Sequence, residues 1–251
     1  MKIEYHAWDS SHLGQKMELK VYGTGGRPFL VFPSSSGRFF DFENQGMVHC
    51  VESFLADEKI QIFSVDGIDP QSWDKNWAPI PERMQRHEEY DHYIINEVVP
   101  FVRQQNESNL GIITSGVSMG ATHAVNFYFR HPEVLGGCLA LSGQYHTRGF
   151  FGDYMDERVY YNSPLSYLPN LSDKKILDLY RKGDIIVCVG QGAWEDPMVK
   201  DTLELKQILK EKEIPAWIDI WGHDVEHHWH WWKIQFPYFI DALINNRTLK
   251  E

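Results

Sequence analysis

The sequence predicts an α/β fold: a mostly parallel central sheet of about eight strands flanked by helices. Three observations predict it. Short β-branched runs alternate with amphipathic segments, the pattern of strands joined by covering helices. The 251 residues, 43% of them hydrophobic, hold ample material for one core of this class. No repeat, low-complexity tract or linker-like run divides the chain, so residues 1–251 are expected to form a single domain.

Taken in order, MELKVYG (17–23) alternates its apolar residues, and RPFLVFP (27–33) follows the turn residues Gly23 to Gly26. These read as antiparallel strands leading into a central one. SSSGRFFDFENQG (34–46) is a Ser/Gly-rich loop at a strand's C-terminal end, followed by a short helix at 47–55 and the strand QIFSVDG (61–67). Residues 79–105 read as a long helix, with Pro81 tolerated in the first turn and Pro100 marking a kink near the end. The strand LGIITSGVS (110–118) precedes a helix at 120–130, which His131-Pro132 stops. After the strand GGCLALSG (136–143), residues 144–182 are rich in Tyr, Asn, Pro and Asp and hold no sheet-like run. This stretch reads as a lid-like or loop-rich excursion over the sheet's edge. IIVCVG (185–190) resumes the sheet, then come a helix at 199–212, the strand AWIDIWG (216–222) and a last helix from His230 to Asn246.

Composition excludes several roles. Twenty-four Lys and Arg against 35 Asp and Glu leave a net charge of −11, which disfavours nucleic acid and anionic membrane surfaces as partners. No apolar run reaches the roughly 18 residues of a transmembrane helix, and MKIEYHAWDSSHLG has no apolar stretch behind its lysine. The three cysteines, Cys50, Cys138 and Cys188, lack metal-like spacing, and the latter two sit in apolar runs as small hydrophobes. A cytoplasmic protein is expected. Exposed aromatic loops leave room for a homo-oligomer.

Gly116-Val117-Ser118-Met119-Gly120 is a G-x-S-x-G pattern between a strand and a helix. That setting strains the serine's backbone, lets strand and helix approach over the glycines, and puts the hydroxyl at a helix N-terminus that favours negative charge. A serine nucleophile needs a base, and the base needs a carboxylate to orient it. On such a sheet they follow in the order Ser, acid, His, each beyond a later strand. After IIVCVG the chain reads QGAWEDP, offering Glu195 and Asp196 side by side. After AWIDIWG it reads HDVEHHWHWW, offering His223, His227, His228 and His230. His123 and His131, on the helix after the serine, read as surface or packing residues, and Trp229, Trp231 and Trp232 as core, with one of them a candidate pocket wall.

With GVSMGATHA, FRHPEVLGGCLALSGQY, VGQGAWED and HHWHWW in place, almost the whole chain resembles the esterase D-like family of α/β-hydrolases, which also holds feruloyl esterases and mycolyltransferases. The resemblance implies the α/β-hydrolase fold and a serine esterase with a catalytic triad, working without cofactor or metal on a small-molecule ester. Relatives place the base in an H-x-W-x-x-W arrangement opening the last helix, which His227, Trp229 and Trp232 fit. The acid often lies three residues past a glycine ending the seventh strand. From Gly192 that residue is Glu195; many relatives use Asp, and Asp196 is the second choice.

The oxyanion of an acyl-transfer intermediate needs two N–H donors. One expected donor is the Met119 amide; the other is Ser35 or Ser36, in the loop after the third strand. Arg38 in that loop is expected to pair with a surface carboxylate. The aromatic residues of 144–182, of 34–42 and around Trp73 and Trp77 suggest an apolar site for a small ligand. Two other readings compete with the hydrolase. His223 and His227, four apart, superficially suit a metal-dependent hydrolase, but Asp224 stands where H-E-x-x-H needs Glu, and no helical periodicity lies behind them. A non-catalytic binding module on the same fold would dispense with the chemistry. Acyl transfer to an acceptor other than water would use the same residues.

Overall fold

The computed structural model describes residues 1–245. Eight strands form one sheet: β1 (Ile3–Ser10), β2 (Gln15–Tyr22), β3 (Arg27–Val31), β4 (Ile60–Val65), β5 (Ile113–Val117), β6 (Gly137–Leu141), β7 (Asp184–Val189) and β8 (Trp217–Ile220). Their order is β1-β2-β4-β3-β5-β6-β7-β8. From β4 to β8 every pairing is parallel, so β3 to β7 need helical crossovers and are covered on both faces. Residue alternation along β3 shows how the faces divide. Leu30 and the following Phe32 join a core with Phe63, Tyr90 and Phe127, whereas Phe29 and Val31 join one with Phe42, Phe236 and Ile240.

One expectation about the opening third is corrected. The antiparallel partners of β2 are β1 and β4, and β4 lies between β2 and β3, so the Gly23 to Gly26 turn is not a hairpin. The eighth strand is the N-terminal one. In β1 only Ser10 is buried, and such an edge strand lacks the apolar signature of the central ones.

The helices are α1 (Asp41–Asn44), α2 (Glu52–Ala56), α3 (Ile80–Tyr93), α4 (Val99–Gln105), α5 (Met119–Arg130), α6 (Arg148–Phe151), α7 (Glu157–Tyr161), α8 (Pro164–Tyr167), α9 (Lys174–Lys182), α10 (Asp196–Glu211) and α11 (Trp229–Ile244). Only the end of the last helix predicted at Asn246 lies outside the described residues. The short helix expected at 47–55 is a 3₁₀ turn at His49–Val51 running into α2. The kink expected at Pro100 is instead a π-type turn, Ile94–Val98, which widens the helix just before the proline and joins α3 to α4.

Residues 144–182 are more ordered than a loop. They form α6 to α9, with Asp156 and Asp173 accepting hydrogen bonds from the free N–H groups that open α7 and α9. α7 packs on α3, and α8 on α5 and α10, so the segment lies on a face of the sheet rather than over its edge. This added layer buries α5 on nearly all sides; only its last residue, Arg130, is partly exposed. The helix that begins at the serine is therefore rigidly held. Among the described residues no helix is long and apolar enough to cross a membrane.

Candidate active site

The site assembles at the C-terminal ends of the parallel strands, where an α/β sheet presents its loops. Ser118 follows β5 directly and has φ 55° and ψ −122°, a conformation that side chains normally avoid. Its amide donates to the Leu141 carbonyl at 2.9 Å, and its carbonyl accepts from Ala121 and Thr122, which holds the turn shut. Both motif glycines are demanded by close approach. A Cβ on Gly116 would stand 2.4 Å from the Gly120 carbonyl carbon, and one on Gly120 would stand 2.5 Å from the Phe32 carbonyl oxygen.

His227 Nε2 lies 2.9 Å from Ser118 Oγ. The imidazole reaches this point because Gly190 and Gly192 let the segment before α11 pack onto the loop after β7. The Gly192 amide donates to the Val225 carbonyl at 2.8 Å, and the His227 amide to that of Ala193 at 3.0 Å. On the far side of the ring, Nδ1 lies 3.5 Å from Glu195 Oε2. That is longer than a hydrogen bond. Both atoms are shielded from solvent and have no other hydrogen-bond partner among the described residues, so each has only the other to face.

Of the two adjacent carboxylates, Glu195 is fully buried and Asp196 is exposed at the start of α10. Trp194 accounts for the division. Its φ of 70° reverses the chain there, leaving its own side chain 83% exposed and sending Glu195 inward. Glu195 Oε1 accepts from Ser142 Oγ at 2.6 Å, and Ser142 Oγ in turn accepts from Trp232 Nε1 at 3.1 Å. Trp232 also stands edge-on to His227, centroids 4.8 Å apart at 89°. One indole thus packs the imidazole and, through Ser142, orients the carboxylate behind it. Beneath them, burial and then the charges of Asp219 and Glu195 push the Cys188 thiol far up, so it stays a neutral filler.

Sequence reasoning missed Ser142. The available signal was its place: it directly follows β6, in the same row of strand ends as the other site residues. Ser142→Ala is expected to leave the buried Glu195 without its donor, at a cost of about 1–3 kcal/mol. For a chain of this size that lowers Tm by roughly 2–12 °C. A melt within a degree of wild type would contradict the contact.

The other histidines stand apart from Ser118. His223 is exposed, with Nδ1 3.4 Å from the Gln191 carbonyl oxygen, and His228 is exposed and caps α11 by accepting from the His230 amide. His230 is likewise exposed. His131 pairs with Asp91 as a packing residue, but His123 is no surface group: it is 3% exposed and bonded to Asp69 at 2.8 Å. Among the described residues no three His, Cys, Asp or Glu side chains gather as a metal ion would need.

Met119 opens α5, so its N–H is one of the four that a helix cannot satisfy internally. The loop leaving β3 passes over this helix start, its Phe32 and Pro33 carbonyls crowding Gly120. In that loop the Ser34 amide donates to Asp41, while the Ser35 and Ser36 amides have no protein acceptor among the described residues. Both their hydroxyls donate to Asp74 Oδ2, at 2.9 and 2.8 Å. Arg38 pairs with Asp66 and Glu18. The aromatic rim differs from expectation at Trp73, which is 1% exposed and packed on Phe150 and Phe151; Trp77 is exposed, with Lys75 over its ring.

A profile of the family described as "Putative esterase" matches residues 10–243. A sequence search of curated proteins finds no match. Among solved structures, the chain is similar to a ferulic acid esterase at 15% identity and a TM-score of 0.75, with 97% of each chain covered. It is also similar to the S-formylglutathione hydrolase FrmB from Staphylococcus aureus, at 13% identity and a TM-score of 0.68, covering 97% of this chain and 100% of that one. A third is MPT51 (FbpC1) from Mycobacterium tuberculosis, at 12% identity and a TM-score of 0.69, with 98% of each chain covered. At these identities the likeness is one of fold, the α/β-hydrolase fold.

Proposed function

The chain belongs to the esterase family, a carboxylic ester hydrolase by that membership, and on this premise we propose that Ser118, His227 and Glu195 hydrolyse a small ester through an acyl-enzyme. His227 Nε2 takes the Ser118 proton as Oγ attacks the ester carbonyl. Glu195 holds the ring with Nδ1–H toward it and stabilises the imidazolium that forms. The negative charge on the tetrahedral intermediate falls at the start of α5, on the Met119 amide and on an amide of Ser35 or Ser36. His227 then delivers its proton to the departing alcohol, leaving the acyl group on Oγ. Water enters, gives a proton to the same nitrogen and attacks the acyl carbon; the tetrahedral intermediate then collapses, the acid leaves, and His227 returns that proton to Ser118 Oγ.

What carries this reading is the line of contacts from Ser118 Oγ through His227 to a buried carboxylate. Similarity to a ferulic acid esterase and an S-formylglutathione hydrolase supports acyl chemistry and leaves the acyl group and leaving group to the mouth. Trp194, one residue before Glu195, is exposed, as are Trp77, Tyr154 and Met155 elsewhere on the surface; an apolar group beside the site suits a small substrate with an apolar part.

A fluorophosphonate probe tests the assignment. Labelling is expected at one site, Ser118 by peptide mass mapping, with loss of turnover of p-nitrophenyl acetate in step with labelling. Excess chelator is expected to leave turnover intact. An active esterase that stays unlabelled, or full activity after complete labelling, would overturn the reading.

A further inference from the structure

Asp74 is 44 residues before Ser118 in sequence and has no part in the proton relay, yet its carboxylate is built into the site. Oδ2 accepts from two consecutive serine hydroxyls, Ser35 Oγ at 2.9 Å and Ser36 Oγ at 2.8 Å. These belong to the loop that passes over the start of α5 and carries two amides without a protein acceptor among the described residues. Ser36 has φ 55°, a conformation a free loop would relax away from, so something must hold it.

Asp74 itself stands on a rigid base. The preceding Trp73 is sunk among Phe150, Phe151, His87 and His123. The Arg83 guanidinium of α3 donates to the carbonyls of Ser72 and Trp73 and to the Asn76 side chain. Asp69, whose carbonyl accepts from the Asp74 amide at 2.9 Å, bonds His123 of α5 at 2.8 Å. Stacked on His123 is His87, whose basicity burial lowers well below the ordinary value, so His87 packs there as a neutral ring. Residues 69–74 are thus fastened to the same helix that presents Ser118 and Met119.

We propose that Asp74 is a positioning residue for the oxyanion site: by holding the Ser35 and Ser36 hydroxyls it fixes the loop so that a backbone amide, opposite that of Met119, is left to receive the acyl oxygen. The two hydroxyl protons are committed to the carboxylate, which leaves the main chain as the donor. A carboxylate near a developing oxyanion would otherwise repel it, and the two donated hydrogen bonds offset that charge. Asp74 does not touch substrate. Its effect is on the placement of a donor that matters most in the transition state.

This inference rests on the reading of Ser118 as nucleophile, so the test includes S118A beside D74A, D74N, S35A/S36A and the triple variant D74A/S35A/S36A. With p-nitrophenyl acetate, D74A and S35A/S36A are each expected to lower kcat by about 10- to 100-fold with KM within about threefold, because one transition-state donor is misplaced. The triple variant is expected to match D74A, since both sets of changes remove the same contact. D74N, whose amide oxygen still accepts, is expected to recover most of the loss. Affinity for phenylboronic acid, which adds to a serine as a tetrahedral mimic, is expected to fall in step with kcat. Should D74A not fold, the exposed serine pair carries the same expectation. S35A/S36A with kcat within twofold of wild type, or effects that simply multiply in the triple variant, would overturn the proposal. Turnover persisting in S118A would instead overturn the nucleophile.

Discussion

Ser118→Ala is expected to lower kcat for p-nitrophenyl acetate by about 10⁴- to 10⁶-fold, the scale seen when a serine nucleophile is removed from an intact triad. The oxygen lost is the atom 2.9 Å from His227 Nε2, and nothing nearby replaces it. Alanine at φ 55° keeps the strain of the turn rather than relieving it, and the hydrogen bond from the residue 118 amide to the Leu141 carbonyl survives. The fold should therefore remain, with Tm within a few degrees of wild type and the residual rate carried by binding and the oxyanion donors alone. Comparable kcat in the variant would mean that Ser118 merely opens a helix.

Glu195→Gln is expected to cost about 10³- to 10⁴-fold in kcat, with Asp196→Asn within a few-fold of wild type. Glutamine keeps the shape of the side chain, and its oxygen can still accept from Ser142. Its NH₂ group would then face His227 Nδ1, turning that nitrogen into an acceptor and putting the ring proton on Nε2. A protonated Nε2 cannot take the proton of Ser118, so the tautomer rather than the packing is at fault. KM is expected to change little, because Glu195 lies behind the imidazole and does not meet substrate. The reverse ranking, with Asp196→Asn severe and Glu195→Gln mild, would move the acid to the exposed position and contradict the geometry.

These two residues also show where a sequence is readable. The turn around Ser118 was legible because its glycines answer to backbone collisions, and such requirements leave a local pattern. The order of serine, acid and histidine was legible because topology puts each at the end of a later strand. The choice between Glu195 and Asp196 came only from resemblance: it depends on the positive φ of Trp194, a bulky residue whose identity gives no hint of that conformation. Ser142, Trp232 and Asp74 act through contacts 53, 90 and 38 or 39 residues away in sequence, which no local period encodes. The pairing of β2 with β4 is hidden for a similar reason. Gly23 to Gly26 mark a turn, but they say nothing about the later strand that enters between its arms. The helical character of 144–182 was hidden because its helices are short and held by packing on α3, α5 and α10 more than by periodicity.

The most direct test is to trap the covalent intermediate during turnover. Wild-type protein mixed with p-nitrophenyl acetate, quenched in acid at steady state and mapped by peptide mass, is predicted to carry one acetyl group on the peptide that holds Ser118. The same quench of S118A should show none. Acetyl found on a different side chain, or steady turnover with the Ser118 peptide unmodified at every quench time, would contradict the account.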